Sequence, residues 1–508
     1  MAASFYPTMP TPTNCWSSKA EQSTPERSPM RTLIEHLEFA FLVDSRDTVL
    51  RDASIVIEND RILDIGPAEE VRARHEGGKF DRVMDGRMLG ICPGFVDSHV
   101  HLSETLSRAV FPDNLNTRAW VFHWAKPFYA QITEEDEYWG ALLGITEMLR
   151  NGTTCFIDMG SQYDPGITVR AMEKTGIRGV TGRHAADNPP AELPRGWTEE
   201  MAKHHFFPSA EAALAELEAC VRKYDGALGG RVRCWVNIEG KEPCTLELHV
   251  GAQKLAERLG VGTTYHLATS IEEAKVCEGK YGMWPITRID RAGGIGSNLV
   301  IAHGAAVSDE EVSLLARRGA KVAFCPCSSF KLGKGATAIG KYPEMVAAGV
   351  TVGLGTDGVS AAGNMNLMRQ MLLVAGMFKD ARMKPDVFTA RQALRAATID
   401  GAKAAMWDHE IGSLEVGKKA DFILFDLDHI EWTPFHDPLQ ALVFSASTAS
   451  IAQTWVDGQV LFSEGKVHGV DEAQIRRKAR ELAAAAVKRA GLHEEGVETT
   501  TTLYDSGN

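Results

Sequence analysis

The sequence predicts an α/β protein: a (β/α)8 barrel of the TIM type, with a small composite β-sandwich domain formed by both chain ends. Two observations predict the barrel. Eight short apolar segments alternate with helical patterns within residues 91–409, and polar residues follow several of these segments directly. A third observation predicts the smaller domain, because short strand-like segments occur both in residues 29–90 and in residues 410–468.

Composition excludes several classes of partner. The chain has 508 residues, of which 44% are hydrophobic and 24% charged, and its net charge of −13 argues against binding to nucleic acid or to an anionic membrane. No apolar run approaches the ~20 residues that span a bilayer, and the first residues lack the apolar core of a secretory signal. We therefore expect a cytoplasmic protein with a small-molecule substrate. The nine cysteines are scattered, as expected for reduced thiols, and Cys325-Pro-Cys327 has no zinc or redox spacing.

The amino-terminal end is predicted to be β-rich after a polar arm. Residues 1–28 are rich in Pro, Ser and Thr and predict a disordered segment. The strands and the short helix that follow are expected at Phe39–Val43, Ala53–Glu58, Arg61–Ile65 and Glu69–His75.

The barrel is predicted from eight apolar segments. The first is Ile91–Val96, which leads into two histidines. The other seven are Thr153–Met159, Ile177–Gly182, Arg231–Asn237, Gly262–His266, Leu299–His303, Lys321–Cys325 and Val350–Thr356.

Helix signals lie between most of these segments. Thr133 precedes an acidic first turn and a single apolar stripe, which predicts an N-cap. Ser308 and Glu311 have the spacing of a capping box, and Gly319 supplies a stop for that helix.

The carboxyl-terminal part returns to strand patterns. Strands are expected at Asp421–Asp426, Ala441–Phe444 and Ala452–Phe462, the last with a hairpin turn at Asp457-Gly458. Residues 469–508 predict a closing helix and a polar tail.

Five metal-capable residues follow the predicted strands. His99 and His101 are spaced i, i+2, so they project from one face of a strand. His266, His303 and Asp357 end the fifth, sixth and eighth predicted strands. Because active sites of such barrels lie at the C-terminal ends of the strands, these residues predict a catalytic zinc or similar divalent ion with an open position for water.

Two further strand-end residues have plainer interpretations. His184 ends the third predicted strand, and we expect it to be a loop histidine or a pocket residue. Asp158 ends the second, where we expect a structural role.

Several motifs together resemble the amidohydrolase superfamily. These are Gly-Phe-Val-Asp-Ser-His-Val-His ending at His101, the strand-end His266 and His303, and Gly-Leu-Gly-Thr-Asp-Gly around Asp357. The nearest group contains cytosine and guanine deaminases, adenosine-homocysteine-type deaminases and triazine (ATZ/TRZ) chlorohydrolases. The similarity extends over nearly the whole chain and is far more specific to the superfamily than to a substrate.

The resemblance implies a mononuclear metal centre. One divalent ion, with Zn expected first and Co, Fe or Mn as alternatives, would be held by three histidines and Asp357, while His303 would lie beside the bound water. Asp357 and His303 are then the catalytic residues, and the metal ligands are His99, His101, His266 and Asp357. Homo-oligomers are common in this group, so we expect one here.

One departure from the group's pattern bears on the reaction. The group carries His-x-x-Glu at the fifth strand, where the glutamate protonates a ring nitrogen, whereas this chain has Thr269. Glu272 and Glu273 lie one turn further, where we expect them to face solvent. Glu239 and Glu242, in the loop after the fourth strand, are alternative proton carriers.

Without that glutamate, the sequence favours hydrolysis of a C–N or C–S bond of amide, carbamate or thiocarbamate type in a small, largely apolar molecule. The alternative is aminohydrolysis or dechlorination of an N-heterocycle such as a pyrimidine, purine or s-triazine. A more distant alternative is a non-catalytic scaffold on the same fold, although all five expected site residues are present.

The substrate pocket is expected among aromatic loop residues after the strands. We predict substrate contacts from Trp120, Phe128, Thr269, Phe330 and Asn364. The competing interpretation is that half or more of the loop aromatics pack in the interior or at a subunit interface.

Overall fold

The computed structural model describes residues 29–193 and 197–492. The predicted arm at 1–28 and the predicted tail beyond 492 lie outside this part of the chain. Within it, none of the helices is long and apolar enough to cross a membrane.

The described strands number eighteen. In chain order they are β1 Arg31–Phe41, β2 Val49–Glu58, β3 Arg61–Pro67, β4 Arg82–Asp85, β5 Leu89–Pro93, β6 Phe95–Val100, β7 Thr153–Asp158, β8 Arg178–Thr181, β9 Val232–Cys234, β10 Val236–Gly240, β11 Thr263–Leu267, β12 Leu299–His303, β13 Lys321–Phe324, β14 Val352–Leu354, β15 Phe422–Asp426, β16 Ile451–Val456, β17 Gln459–Ser463 and β18 Lys466–Val467.

The described α-helices range from one turn to five. They are α1 Ala68–Arg74, α2 Thr117–Trp120, α3 Lys126–Tyr129, α4 Glu134–Arg150, α5 Gly166–Thr175, α6 Glu199–His205, α7 Ala210–Tyr224, α8 Ala227–Gly230, α9 Leu246–Leu259, α10 Ile271–Tyr281, α11 Pro285–Arg291, α12 Asp309–Arg318, α13 Pro326–Lys331, α14 Tyr342–Ala347, α15 Val359–Ala362, α16 Leu367–Arg382, α17 Ala390–Ala397, α18 Ile399–Ala404, α19 Pro438–Gln440 and α20 Glu472–Arg489.

Helix ends are where local sequence chemistry predicted the structure well. The Thr133 side chain accepts a hydrogen bond from the Asp136 amide at the start of α4, and the two form a reciprocal capping box. Ser308 and Glu311 form the same arrangement at α12, which ends at Gly319 with φ +67°. Both predictions of a helix start are therefore confirmed.

Strands from both chain ends join one nine-stranded sheet. Its order is β18-β17-β16-β15-β5-β1-β2-β3, with β4 beside β1. The prediction that both chain ends contribute strands to one β structure is confirmed, and its hydrogen-bonded ladder runs through a single sheet. The sheet curls enough for the β2–β3 turn to meet the β16–β17 turn, where a Cβ on Gly458 would lie 2.1 Å from the Asn59 carbonyl oxygen.

The predicted strand Ala441–Phe444 is wrong. The segment Ala441–Ser445 is a π-helical turn that continues from α19. Asp437 starts this helical stretch, because its side chain accepts hydrogen bonds from the amides of Leu439 and Gln440. Leu442 and Val443 are buried in the core, so a short apolar run here serves a helix as well as it would a strand.

The other strands form two parallel sheets. One has the order β6-β7-β8-β9 and the other β10-β11-β12-β13-β14. Only Trp235 separates β9 from β10, and a parallel bridge joins Val100 at the end of β6 to Asp357 after β14. The fold is thus of the barrel type, and it places the C-terminal ends of β6, β11, β12 and β14 around one point.

A buried ion network connects the large sheet to the parallel strands. The Arg178 guanidinium, at the start of β8, donates to both carboxylate oxygens of Asp421 at 3.0 and 3.3 Å and also to Asp457. The side chains of Arg178 and Asp421 are each 1% exposed. This network lies at the N-terminal ends of the parallel strands, opposite the predicted metal centre.

Candidate metal centre and active site

Ring nitrogens from three strands and one carboxylate converge at the C-terminal rim. Nε2 of His101 lies 3.2 Å from Nε2 of His266. Asp357 Oδ1 lies 3.7 Å from Nε2 of His99 and 3.5 Å from Nε2 of His101. His303 reaches the other carboxylate oxygen, with Nε2 at 3.8 Å from Asp357 Oδ2. All five residues predicted for the centre are thus brought together.

The second ring nitrogens fix how two of the histidines face the centre. His101 Nδ1 lies 3.1 Å from Glu104 Oε1, and His266 Nδ1 lies 2.8 Å from the Glu239 carbonyl oxygen. These acceptors require an Nδ1–H donor, so each Nε2 can present a lone pair to the centre. The orienting groups are the ones that metal-bound histidines use.

His99 gives the clearest sign that a ligand belongs here. It is fully buried, and neither ring nitrogen has a hydrogen-bond partner among the described residues. Buried polar atoms are almost always paired, so an unpaired imidazole that faces two other imidazoles and a carboxylate indicates a missing partner. Three nitrogens and one oxygen are a donor set that fits Zn²⁺ with an open position.

The backbone is unusual at the two predicted catalytic residues. His303 has φ +75° and Asp357 has φ +63°, a region that side chains other than glycine rarely adopt. The Asp357 amide donates to the His99 carbonyl oxygen at 2.8 Å, and the buried Asp97 carboxylate accepts from Thr356. These contacts offset the strain and hold Asp357 at the rim.

Electrostatics keep most of the cluster ready to bind a cation. Burial lowers the pKa of His266 and of His303 well below 6.5, so both rings are neutral at pH 7. Burial alone would raise the pKa of Asp357, but the nearby His99 and His303 rings and the Lys334 ammonium hold it well below 3.8. Burial also opposes the charged form of His101, but Glu104 outweighs it and raises the His101 pKa to about 9.

A cavity opens directly over this cluster. Two of the five predicted substrate contacts, Trp120 and Thr269, line it, and Phe122 and Tyr129 from the same aromatic loop do so as well. Trp120 presents an indole N–H that has no partner among the described residues. His184 also lines the cavity, which agrees with its interpretation as a pocket residue.

The other three predicted contacts do not line the cavity. Phe128 is fully buried and packs edge-on against Phe111, at a ring-centroid distance of 5.8 Å, in a core shared with α20. Phe330 points outward from α13 and is 47% exposed. Asn364 lies in the loop after α15, away from the cavity wall. Helix packing and the direction of each loop decide whether these side chains line the cavity. The number of residues between a side chain and a strand end does not predict helix packing or loop direction.

Glu273 corrects another expectation. Its carboxylate turns back from the first turn of α10, where Oε2 accepts from the Thr269 amide and hydroxyl, each at 2.8 Å. Oε1 accepts from the Ala268 amide at 2.8 Å. Glu273 lines the cavity and does not simply face solvent, because it satisfies donors that precede its own helix. A carboxylate therefore lies directly beside Thr269.

An ion cluster that the sequence did not predict forms another part of the cavity wall. Lys126 Nζ lies 2.7 Å from Glu239 Oε1, and His205 Nε2 lies 3.1 Å from Glu239 Oε2. Burial raises the pKa of Glu239, but these two partners lower it well below 4.5 overall. The sequence carries one signal for this cluster, a lysine within an aromatic loop. The cluster itself was not predicted, because its contacts join separate loops and cannot be read from the sequence.

Family models match most of the chain. The model described as "Amidohydrolase family" matches residues 91–461, which include all five residues of the candidate metal centre. A second model, described as "Imidazolonepropionase-like composite domain, bacteria", matches residues 55–75, within the nine-stranded sheet and α1.

Curated relatives of known activity are similar over nearly their full length. A 5-methylthioadenosine/S-adenosylhomocysteine deaminase from Symbiobacterium thermophilum is 33% identical over 445 residues, which are 87% of this chain and 95% of the relative. A 5'-deoxyadenosine deaminase from Methanosarcina barkeri is 31% identical over 464 residues, which are 91% of this chain and 99% of the relative.

Solved structures show the same fold. An adenosine deaminase from Xanthomonas campestris with bound zinc superposes with a TM-score of 0.79 at 25% identity, covering 90% of this chain and 99% of that one. An atrazine chlorohydrolase from Arthrobacter aurescens TC1, complexed with zinc, gives a TM-score of 0.78 at 23% identity, covering 89% of this chain and 100% of that one.

Proposed function

We propose a deamination reaction for this chain, which belongs to the amidohydrolase family. The chain is an enzyme, and the relatives favour the alternative reaction above, aminohydrolysis of an N-heterocycle, over amide or carbamate hydrolysis. The substrate class that we propose is a purine nucleoside with an exocyclic amine. The observation that carries the proposal is the His99–His101–His266–Asp357 cluster beneath a cavity, in which His99 has no hydrogen-bond partner among the described residues, in a chain whose relatives are nucleoside deaminases.

The proposed architecture is a closed barrel. The continuity of β9 and β10 through Trp235 supports counting them as one bent strand, which leaves eight. The bridge between Val100 and Asp357 supports closure between the first and last strands. Closure would hold the ligands from β6 and β11 and the residue after β14 at fixed separations.

The metal centre in this proposal is mononuclear and binds zinc. His99, His101, His266 and Asp357 would hold the ion, and when bound it supplies Lewis-acid activation of a water molecule. Asp357 would accept the proton of the water that attacks the amine-bearing carbon and pass it to the departing nitrogen, which leaves as ammonia. His303 would orient the water. The carbon–oxygen bond forms first and the carbon–nitrogen bond then breaks. One proton of the water leaves with the ammonia and the other ends on the ring nitrogen beside the new carbonyl.

Protonation of the ring nitrogen needs an acid–base group near Thr269. The position of the Glu273 carboxyl group supports Glu273 in this role. Its Oε2 accepts a hydrogen bond from the Thr269 hydroxyl, at an oxygen–oxygen distance of 2.8 Å, at the edge of the cavity. We expect Glu273→Gln to lower kcat by about 10²-fold, the usual scale of a proton-transfer group. Glu278→Gln is the matched control, because Glu278 is exposed on the same helix and does not line the cavity.

A substrate panel tests the proposal. Metal-loaded enzyme is given 5-methylthioadenosine, S-adenosylhomocysteine and 5'-deoxyadenosine in one arm, and amides, carbamates and thiocarbamates in the other. We expect stoichiometric ammonia from the first arm. The replacement of the expected glutamate by Thr269 favours the second arm, and amine or thiol release there without ammonia from any nucleoside would overturn the proposal.

A further inference from the structure

A buried lysine lies beside the metal cluster and has no role in the function proposed above. Lys334 is 6% exposed and lines the cavity. Its Nζ lies 3.3 Å from the Ser328 hydroxyl oxygen and 3.4 Å from each ring nitrogen of His303. It also lies 3.7 Å from Asp357 Oδ2. An ammonium this deeply buried needs a compensating charge, and Asp357 supplies it.

The metal-capable residues around Asp357 form more than one group. His99, His101 and Asp357 form one set whose ligand atoms lie within 4.8 Å of one another. His303, Cys325 and Asp357 form a second set under the same limit. These two sets share only Asp357, so its carboxylate has the position of a bridge between two cations, as in two-metal sites. A third set under the same limit, His99, His266 and His303, contains no carboxylate and overlaps both.

The two carboxylate oxygens face different sets. Oδ1 lies 3.5 and 3.7 Å from the ring nitrogens of His101 and His99, whereas Oδ2 lies 3.8 Å from His303 Nε2 and 3.7 Å from Lys334 Nζ. A cation is therefore already present on the Oδ2 side, and it is part of the protein. A divalent ion there would meet the ammonium at close range in a buried site.

We propose that the Lys334 ammonium takes the place of a second metal ion at the His303–Cys325–Asp357 group, so that the enzyme holds one ion and one fixed organic cation. The proposal rests on the proposed function only in assigning the first ion to His99, His101, His266 and Asp357. The fixed charge faces the same cavity as the reacting groups. Lys334 is thus a positioning residue for Asp357 and sets the metal count.

Cadmium titration tests the metal count directly. Cadmium binds thiolate, and a cadmium–thiolate bond has an ultraviolet charge-transfer band that reports on Cys325. We expect wild-type protein to bind one equivalent without a band that depends on Cys325. Lys334→Ser removes the charge and the volume, and we expect it to bind two equivalents with the band. Lys334→Arg keeps the charge, and we expect it to behave as the wild type.

The double variant Lys334→Ser/Cys325→Ser is the matched control. The band must disappear in it, which separates Cys325 from the other cysteines. Two equivalents in wild-type protein, with a band that Cys325→Ser removes, would overturn the proposal, as would one equivalent in folded Lys334→Ser. If the serine variant does not fold, Lys334→Gln serves in its place. The number of bound cadmium ions is measured without any substrate. A failure of the Lys334 proposal is therefore distinguishable from a failure of the proposed function, which would appear as a lack of ammonia release.

Discussion

Two buried clusters of charged side chains lie at opposite ends of the parallel strands, and they are built differently. In the cluster at the N-terminal ends, Arg178 is paired with Asp421 and Asp457, and the Asp457 amide also donates to Asp421 at 2.8 Å. In the cluster at the C-terminal rim, His99 has no hydrogen-bond partner among the described residues, and His101 and His266 direct ring nitrogens at each other.

The difference separates stability from function. Burying charge costs free energy unless the charge is paired and hydrogen-bonded, and the Arg178 cluster meets that condition from within the chain. The rim cluster does not, because its remaining partner is expected to be a metal ion. A buried polar group that is fully paired indicates structure, whereas one that is left unpaired beside similar groups indicates a ligand.

The largest expected effect is a loss of turnover when Asp357, at the C-terminal rim, is replaced. Asp357→Asn should lower turnover by at least about 10²–10⁴-fold, because the amide cannot accept the proton of water. Steady-state kinetics at matched zinc content measure this, with elemental analysis of each preparation. The control is Asp309→Asn, an exposed carboxylate on α12, which should leave turnover unchanged. Wild-type activity in a zinc-loaded Asp357→Asn enzyme would remove Asp357 from its proposed role.

The next largest effect is expected from a substitution in the Arg178 cluster at the N-terminal ends of the strands, and it should change stability but not turnover. Arg178→Met leaves the buried Asp421 carboxylate without its ion-pair partner and removes one of the cations beside Asp457, and we expect the free energy of unfolding to fall by about 3–5 kcal/mol. Urea denaturation measures the change, and kcat per folded molecule should be retained. Arg231→Met is the control, because Arg231 lies 3.8 Å from Asp457 with a side chain 27% exposed and should cost less than about 1 kcal/mol. Equal losses in both variants would contradict this account.

The smallest effect concerns a buried carboxylate behind the rim that is paired within the chain. Burial raises the pKa of Glu137 to about 7, although hydrogen bonds from Ser161 and Gln162 oppose the shift. The folded state therefore holds a proton that the unfolded state releases near pH 4.5. Its contribution to stability is complete below pH 4.5 and is lost as the pH rises through about 7, a change of up to about 3 kcal/mol.

Urea denaturation at several pH values between 4.5 and 7 checks this sign. The decline in the free energy of unfolding should be shallower in Glu137→Gln than in wild-type protein. Glu134→Gln, an exposed position in the first turn of the same helix, should follow the wild type. A steeper decline in Glu137→Gln would reverse the assigned direction.

The same contrast explains what could be predicted at each cluster. The rim residues were predictable because each ends a strand, and the C-terminal ends of parallel strands in a barrel meet at one face. Arg178 and Asp421 are 243 positions apart, and no local pattern marks them as partners. Phe128 and Trp120 belong to one aromatic loop, yet only the second lines the cavity.

The sequence by itself determined the alternation of strands and helices, the helix caps at Thr133 and Ser308, and the residues of the metal cluster. These follow from periodicity, capping chemistry and strand-end position, which act over a few residues. Only the tertiary structure decided that Glu273 turns back onto Thr269, that Lys334 faces Asp357 and that the strands from the two chain ends form one continuous, curled ladder. These depend on the directions in which loops and side chains pack, which long-range contacts set.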